Sequence, residues 1–183
     1  MFLSLLKKRR SIRKYRKQEI EKSKIEKLIK AVLLSPSSKA IYPCEFIFIT
    51  NKALLAKLSK SKPHGSAFLA NAPLGIVVIT DLTKSDVWIE DASIATTFII
   101  LAAEAFSLGS CWIQIRKRKH SETIDSEEYI RNILSIPDNM RVLSIVGIGY
   151  PDEIKSPKLE EDLQYEKIFL NQYGNLLNTP WDI

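Results

Sequence analysis

Four short apolar runs, rich in β-branched and aromatic residues, read as strands: 46–49, 74–80, 111–115 and 142–150. The second, LGIVVIT, is apolar throughout, the pattern of a strand buried on both faces. The fourth is stopped by Pro151. Helical patterns lie around them. Residues 2–9 read as a short helix that stops inside a basic run. Ser23-Lys24-Ile25-Glu26 has the form of a capping box, with Ser23 as N-cap and Glu26 three residues on. Ile25, Leu28, Ile29, Val32 and Leu33 then recur at helical spacing until Pro36 ends the pattern. Residues 35–38 make a polar turn. Leu54, Leu55 and Leu58 fall on a helix after Thr50-Asn51, and 60–65 reads as a surface loop. Ser85 is placed to cap a long helix over about 86–107. Its apolar residues (Trp88, Ile89, Ala92, Ala95, Phe98, Ile99, Ala102, Phe106) cover more than one stripe, as in a helix central to a core or a dimer interface. Residues 127–134 form one more helix.

The last thirty residues are charged, with scattered apolar anchors: Leu163, Tyr165, Ile168, Phe169, Leu170, Tyr173 and Trp181. They carry too little apolar content for a core of their own and are expected to wrap over a surface, their own or a partner's. Four strands among five helices, without repeats, low-complexity stretches or a linker, predict one α+β domain over 1–183, with 152–183 as a C-terminal arm.

Composition narrows the function classes. The chain has 183 residues and a net charge of +6. Residues 1–30 hold twelve Lys/Arg against three Glu, while the remainder holds fifteen against eighteen acidic residues. The basicity is therefore an N-terminal feature on a slightly acidic body. None of the six glycines falls in GxGxxG or GxxxxGK[ST], which argues against Rossmann and P-loop nucleotide sites. His64, His120, Cys44 and Cys111 are too scattered for paired metal-ligand spacing, so no metal is expected. Two cysteines make no disulfide framework and suit a reducing cytoplasm. No apolar run approaches 18 residues, so neither a membrane span nor export is expected.

The stretch Arg9-Arg10-Ser11-Ile12-Arg13 has two readings. Guanidinium forks and a hydroxyl at a helix end can grip a phosphate, or the segment is a solvated basic turn. A nucleic-acid groove would need basic residues interleaved with aromatics, and only Tyr15 is interleaved here, so no nucleic-acid partner is expected. Cys111 lacks a His or Cys-x-x-Cys partner and reads as a structural thiol. Asp91 and Glu90, on the long helix, read as caps or ion-pair members. GxSxG is absent, and the run 116–119 reads as a solvated turn.

The order of motifs resembles that of the FMN-dependent nitroreductase family. Arg9-Arg10-Ser11-Ile12-Arg13-Lys14-Tyr15 looks like its N-terminal signature. Ser35-Pro36-Ser37-Ser38, with Pro43 and Phe46, resembles its second block, and Ala72-Pro73 before LGIVVIT its third. Asp91-Ala92-Ser93-Ile94-Ala95 through Leu101-Ala102-Ala103, then Leu108-Gly109-Ser110-Cys111-Trp112-Ile113, resembles its central helix and following strand. Gly147-Ile148-Gly149-Tyr150-Pro151 resembles the strand end before the arm. The matches run from about residue 5 to 174.

The resemblance implies an α+β fold with a mixed central sheet flanked by helices, in an intertwined homodimer whose two FMN sites are each built from both subunits. It implies Arg9 and Ser11 at the phosphate and Arg10 at the ring or ribityl chain. Arg13 would lie near the flavin N1/O2 edge, where a cation stabilises the reduced ring. Pro36, Ser37 and Ser38 would come from the other subunit. Trp112, Ile113 and Gln114 would lie along the ring near N5, and Lys158, with Lys155 second, would reach the phosphate. The implied activity is ping-pong transfer from NAD(P)H through FMN to a nitroaromatic, quinone or similar acceptor. The flavin carries this chemistry, so no protein catalytic residue is required. The sequence departs from the family pattern at several points. Ala40 stands where an Asn contacts flavin, a loss of about 1–2 kcal/mol unless it is replaced. Cys44 stands for a Trp, Phe98 for an Asn and Phe169 for a His, and Gln114-Ile115-Arg116 replaces a glycine-containing continuation. These departures leave a flavin-binding or flavin-sensing dimer with impaired redox activity as the alternative reading.

Overall fold

The apolar runs do become strands. The computed structural model describes residues 2–177; Trp181, one of the expected arm anchors, lies outside them. Strands β1 (Cys44–Ile49), β2 (Leu74–Asp81), β3 (Gly109–Gln114) and β4 (Met140–Gly149) form one sheet in the order β1-β2-β4-β3. Every strand pairing is antiparallel, which corrects the expectation of a mixed sheet. Among the described residues, the one parallel pairing is a bridge from Ser11 to Ser110 on the outer edge of β3. Residues 11–12 run along that edge only briefly, because the backbone of Arg13 and Lys14 turns away to bond Glu153.

All of β2 is buried, as its pattern predicted, because both faces of the sheet are covered. Helices α2 (Lys22–Leu33) and α4 (Trp88–Ala105) pack Leu28, Val32, Ala92 and Ile99 against Ile76, Val78 and Val146. Helices α3 (Lys52–Leu58) and α5 (Ser126–Leu134) pack Leu55, Leu58 and Ile130 against Val77, Ile79 and Ile113. The register of β2 on β4 slips between Val78 and Ile79. Leu143 is the extra residue, so it and its neighbour Ser144, whose hydroxyl bonds Thr96 of α4, both face the α4 side, while Val142 joins the other.

Two helix starts differ from the sequence pattern. Helix α2 opens at Lys22 after Glu21, with no side-chain cap, and Ser23 sits in its first turn. The Tyr150 hydroxyl donates to the Glu21 carboxylate and fixes the entry from outside the helix. Helix α4 opens at Trp88, and Ser85 does not cap it; its hydroxyl donates instead to Asp91 at 2.8 Å. Asn51 does cap α3, accepting the Leu54 amide at 3.0 Å.

The sheet takes only one stripe of α4, comprising Ala92, Ala95, Thr96, Ile99 and Ala103, while Ile94 stays exposed. Phe2 and Leu3 of α1 (Phe2–Lys8) are exposed as well, as are Leu33 and Leu34 at the end of α2. The arm meets α1, with the Lys158 amide on the Lys7 carbonyl at 2.8 Å and Lys7 paired with Glu160 at 2.6 Å. Leu163, Tyr165, Ile168 and Tyr173 remain exposed on it.

Candidate functional site

Tyr15 fixes the arginine-rich segment to the sheet. Its ring is buried, and its hydroxyl lies 2.7 Å from the Ile12 carbonyl and 3.0 Å from that of Gly147 in β4. Burial pushes its ionisation well above the ordinary phenol value, so it stays a neutral donor. Ile12 donates its amide to the Ser110 carbonyl at 2.9 Å. Gly109 makes this approach possible, since a Cβ there would lie 2.8 Å from the Cβ of Ile12. Ser11 and Arg13 are thereby set beside the outer edge of β3.

The other side of the segment is clasped by the start of the arm. Glu153 accepts the amides of Arg13 at 2.5 Å and Lys14 at 3.2 Å, and Lys155 pairs with it at 3.5 Å. These amides, Arg13's first, hold the Glu153 carboxyl below its usual range despite partial burial. Asp152 donates its amide to the Lys14 carbonyl at 2.9 Å, and the Arg16 side chain bonds the Pro151 carbonyl at 3.0 Å. Arg10 reaches the Ser156 carbonyl. A groove of about 220 Å³ runs alongside, bordered by Arg10, Ile12, Gly109, Glu153 and Lys155.

Positive charge converges on this edge. Burial raises the Cys111 thiol above its usual value, while Arg13, a Ser11 hydrogen bond, Lys62 and Lys155 all oppose that rise. Cys111 is therefore a buried structural thiol, as its sequence context indicated, and the cations around it share one face. Lys62 is lowered from the usual lysine value, first by burial and then by Arg118. Sequence reasoning missed Lys62. It lies in what reads as a surface loop, and its half-burial depends on the turn made by Gly65 and Ser66, whose hydroxyl bonds the Lys62 carbonyl at 3.2 Å. Glu153 was missed too; only its place two residues after Pro151 could have pointed to it.

Strand β3 lies at the sheet edge. Because the Ser110 carbonyl faces outward to Ile12, antiparallel alternation turns the amides of Trp112 and Gln114 to the same open edge. Their side chains are locked together, with the Trp112 indole donating to the Gln114 carbonyl oxygen at 2.9 Å and the Gln114 amide to the Arg116 carbonyl at 3.0 Å. Ile113 faces the opposite side and is part of the core. Arg9 ends α1 with its amide on the Leu5 carbonyl.

The predicted residues thus fall into two groups. Ser11 and Arg13 lie with β3 residues Trp112, Ile113 and Gln114 at one edge of the sheet, Ile113 turned into the core; Arg10 borders the groove beside them, and Arg9 precedes them at the end of α1. Lys155 joins them, whereas Lys158 lies beside Lys7 and 4.0 Å from Asp162. Pro36, Ser37, Ser38 and Ala40 lie in the loop before β1, at the far side of the sheet. Three strand spacings, about 14 Å, separate the two edges. A single chain does not bring the two groups together.

The Nitroreductase family model matches residues 6–62 and 59–150. The chain belongs to the nitroreductase family. A nitroreductase-family structure described as an FMN-dependent nitroreductase from Clostridium difficile superposes with a TM-score of 0.92 at 48% identity, covering 93% of this chain and 99% of that one. A protein of Archaeoglobus fulgidus is 36% identical over 157 residues, covering 84% of this chain and 87% of its own length; its provisional name pairs NADH dehydrogenase with NAD(P)H nitroreductase. A Methanothermobacter thermautotrophicus protein with the same provisional name is 32% identical over 174 residues, covering 93% and 87%. Among the described residues of this nitroreductase-family chain, no helix is long and apolar enough to cross a membrane, and no three His, Cys, Asp or Glu side chains cluster to hold a metal.

Proposed function

We propose that the chain is an FMN-dependent NAD(P)H oxidoreductase, active as a homodimer on a nitroaromatic, quinone or similar acceptor. The observation that carries this reading is the open β3 edge, which carries the outward amides of Trp112 and Gln114 and, around Cys111 of the same strand, the cations of Arg13, Lys62 and Lys155. These residues fit the cofactor. A flat heteroaromatic ring needs edge donors, and a phosphate and a ring that gains negative charge need fixed cations and hydroxyls.

In this reading Arg9 and Ser11 hold the phosphate, with Lys155 or Lys158 of the arm. Arg13 and Lys62 supply positive charge at one edge of the ring, while Arg10 lies toward the ring or ribityl chain. The Trp112 and Gln114 amides orient the other edge, and the Trp112–Gln114–Arg116 bonds keep that stretch rigid. When bound, FMN would supply the redox chemistry between NAD(P)H and the acceptor, so no side chain here is needed as nucleophile or base.

The far placement of Pro36, Ser37, Ser38 and Ala40 supports a site completed by a second copy, whose corresponding loop would close over the ring. The exposed apolar residues of α1, α2, α4 and the arm from 152 onward supply the surface for that pairing. Two free cysteines suit a reducing cytoplasm.

Purified protein should be yellow, absorbing near about 450 nm, and should oxidise NADPH or NADH when menadione or a nitroaromatic is supplied. A colourless protein that cannot be reconstituted with FMN would overturn this reading. Flavin binding without turnover would favour the redox-impaired alternative, for which the apolar Ala40 is the structural ground.

A further inference from the structure

The loop before β1 has an uncommon backbone. Lys39, Ala40 and Tyr42 have φ of 53°, 53° and 51°, a left-handed conformation disfavoured for residues that bear a Cβ. Close packing does not hold it there. A cavity of about 270 Å³ opens behind the loop, bordered by Val32, Pro36, Ser37, Tyr42, Cys44 and Asp91.

Hydrogen bonds hold it instead. Asp91 is 2% exposed, in the first turn of α4, where the helix dipole favours an anion. One of its carboxylate oxygens accepts the Ser38 amide at 2.7 Å and the other accepts the Ser85 hydroxyl at 2.8 Å. Ser37 closes the turn by accepting the Tyr42 amide at 2.7 Å. The Asp91 bond therefore falls on the residue just before the first left-handed position.

We propose that Asp91 is a positioning residue: with Ser85 behind it, its carboxylate holds the loop of residues 38–42 in its left-handed form, ready to close over the flavin of the partner subunit. The proposal rests on the reading that this loop contacts FMN. Asp91 itself touches neither cofactor nor acceptor. Its effect is to set in advance a backbone shape that the loop would otherwise leave, so that binding FMN does not have to impose it.

The test uses the full-length dimer and three variants: Asp91→Ala, Asp91→Asn, and Asp91→Ala combined with Lys39→Gly. FMN affinity is read by quenching of flavin fluorescence, and the melting temperature of the flavin-free protein is followed alongside. Asp91→Ala should weaken FMN by about tenfold or more, the scale of losing a hydrogen bond to a charged group. Asp91→Asn keeps an oxygen for the Ser38 amide and should stay within about threefold of the native protein. Glycine adopts the left-handed form freely, so Lys39→Gly should recover several-fold of the Asp91→Ala loss. Native-like FMN affinity in Asp91→Ala would overturn the proposal and leave the flavin assignment standing. A loss that Lys39→Gly does not recover, shared by Asp91→Asn and matched by a lower melting temperature of the flavin-free protein, would mark a purely structural role and also overturn it. Native protein that takes up no FMN would overturn the flavin assignment, and the proposal with it.

Discussion

Replacing Gly109 by alanine tests how the arginine-rich segment is seated. The added Cβ would meet Ile12 at 2.8 Å from its Cβ, 2.8 Å from Cγ2 and 2.9 Å from Cγ1. Carbon atoms prefer about 3.5–4.0 Å, so a gap of roughly 1 Å must open. Because Ile12 Cβ is itself in collision, no rotamer relieves the clash and the backbone must move. That movement strains the Ile12 amide on the Ser110 carbonyl, now at 2.9 Å, and displaces Ser11 and Arg13 on either side. Overpacking costs about 1–3 kcal/mol and the weakened hydrogen bond up to about 1 kcal/mol more. Taking about 3 kcal/mol, and about 2–4 °C for each kcal/mol in a chain of this size, flavin-free Gly109→Ala should melt about 6–12 °C below the native protein. FMN affinity should fall by about tenfold or more in the same preparation. Adding Ile12→Ala removes two of the three contacting carbons, so the double variant should lose less than the two single losses summed. A melting temperature within about 1 °C of native, with FMN affinity unchanged, would refute the claim that Gly109 admits Ile12 to the β3 edge.

Arg13→Ala should weaken FMN about tenfold or lower the flavin's reduction potential; titration and a redox dye assay that find neither would remove Arg13 from the ring edge. Tyr15→Phe leaves the Ile12 and Gly147 carbonyls without their shared donor and should cost about 1–2 kcal/mol, read as a lower melting temperature; an unchanged melt would show that this bond contributes little. Glu153 titrates below the usual 4.5 in the folded chain, so the stability it confers is complete above pH 4.5 and is lost as the pH falls through its lowered value. Glu153→Gln should therefore lower the melting temperature at neutral pH, where the native carboxylate contributes in full, and the gap between the two proteins should narrow as the pH falls below about 4.5; a gap that is absent at neutral pH, or that does not narrow in acid, would contradict the clasp.

Much of this architecture could be read from the chain because it rests on local pattern. LGIVVIT is apolar throughout since β2 has helices on both faces, and Leu54, Leu55 and Leu58 mark α3 by their spacing after Thr50-Asn51. What could not be read depends on contacts across the sequence. Ser85 is well placed to cap a helix, yet Asp91 takes its hydroxyl, and Ser23 yields to an entry set by Tyr150 and Glu21. The antiparallel order β1-β2-β4-β3 follows from how the helices return the chain, which no strand pattern records. Arg9, Ser11 and Arg13 stand out in the chain as a basic cluster able to grip an anion, while Lys62, whose placement depends on the fold of its own loop, does not.

The clasp on the arginine-rich segment also sets when the site can exist. The Tyr15 bond to Gly147 spans 132 residues and the Arg13 bond to Glu153 spans 140. At about 5–20 residues per second, the ribosome releases Arg13 roughly 7–30 s before it releases Glu153. The signature that emerges first is thus among the last parts to be locked. A nascent chain has no finished place for the cofactor until β4 and the start of the arm have emerged, so on the proposed reading flavin loading waits for Glu153.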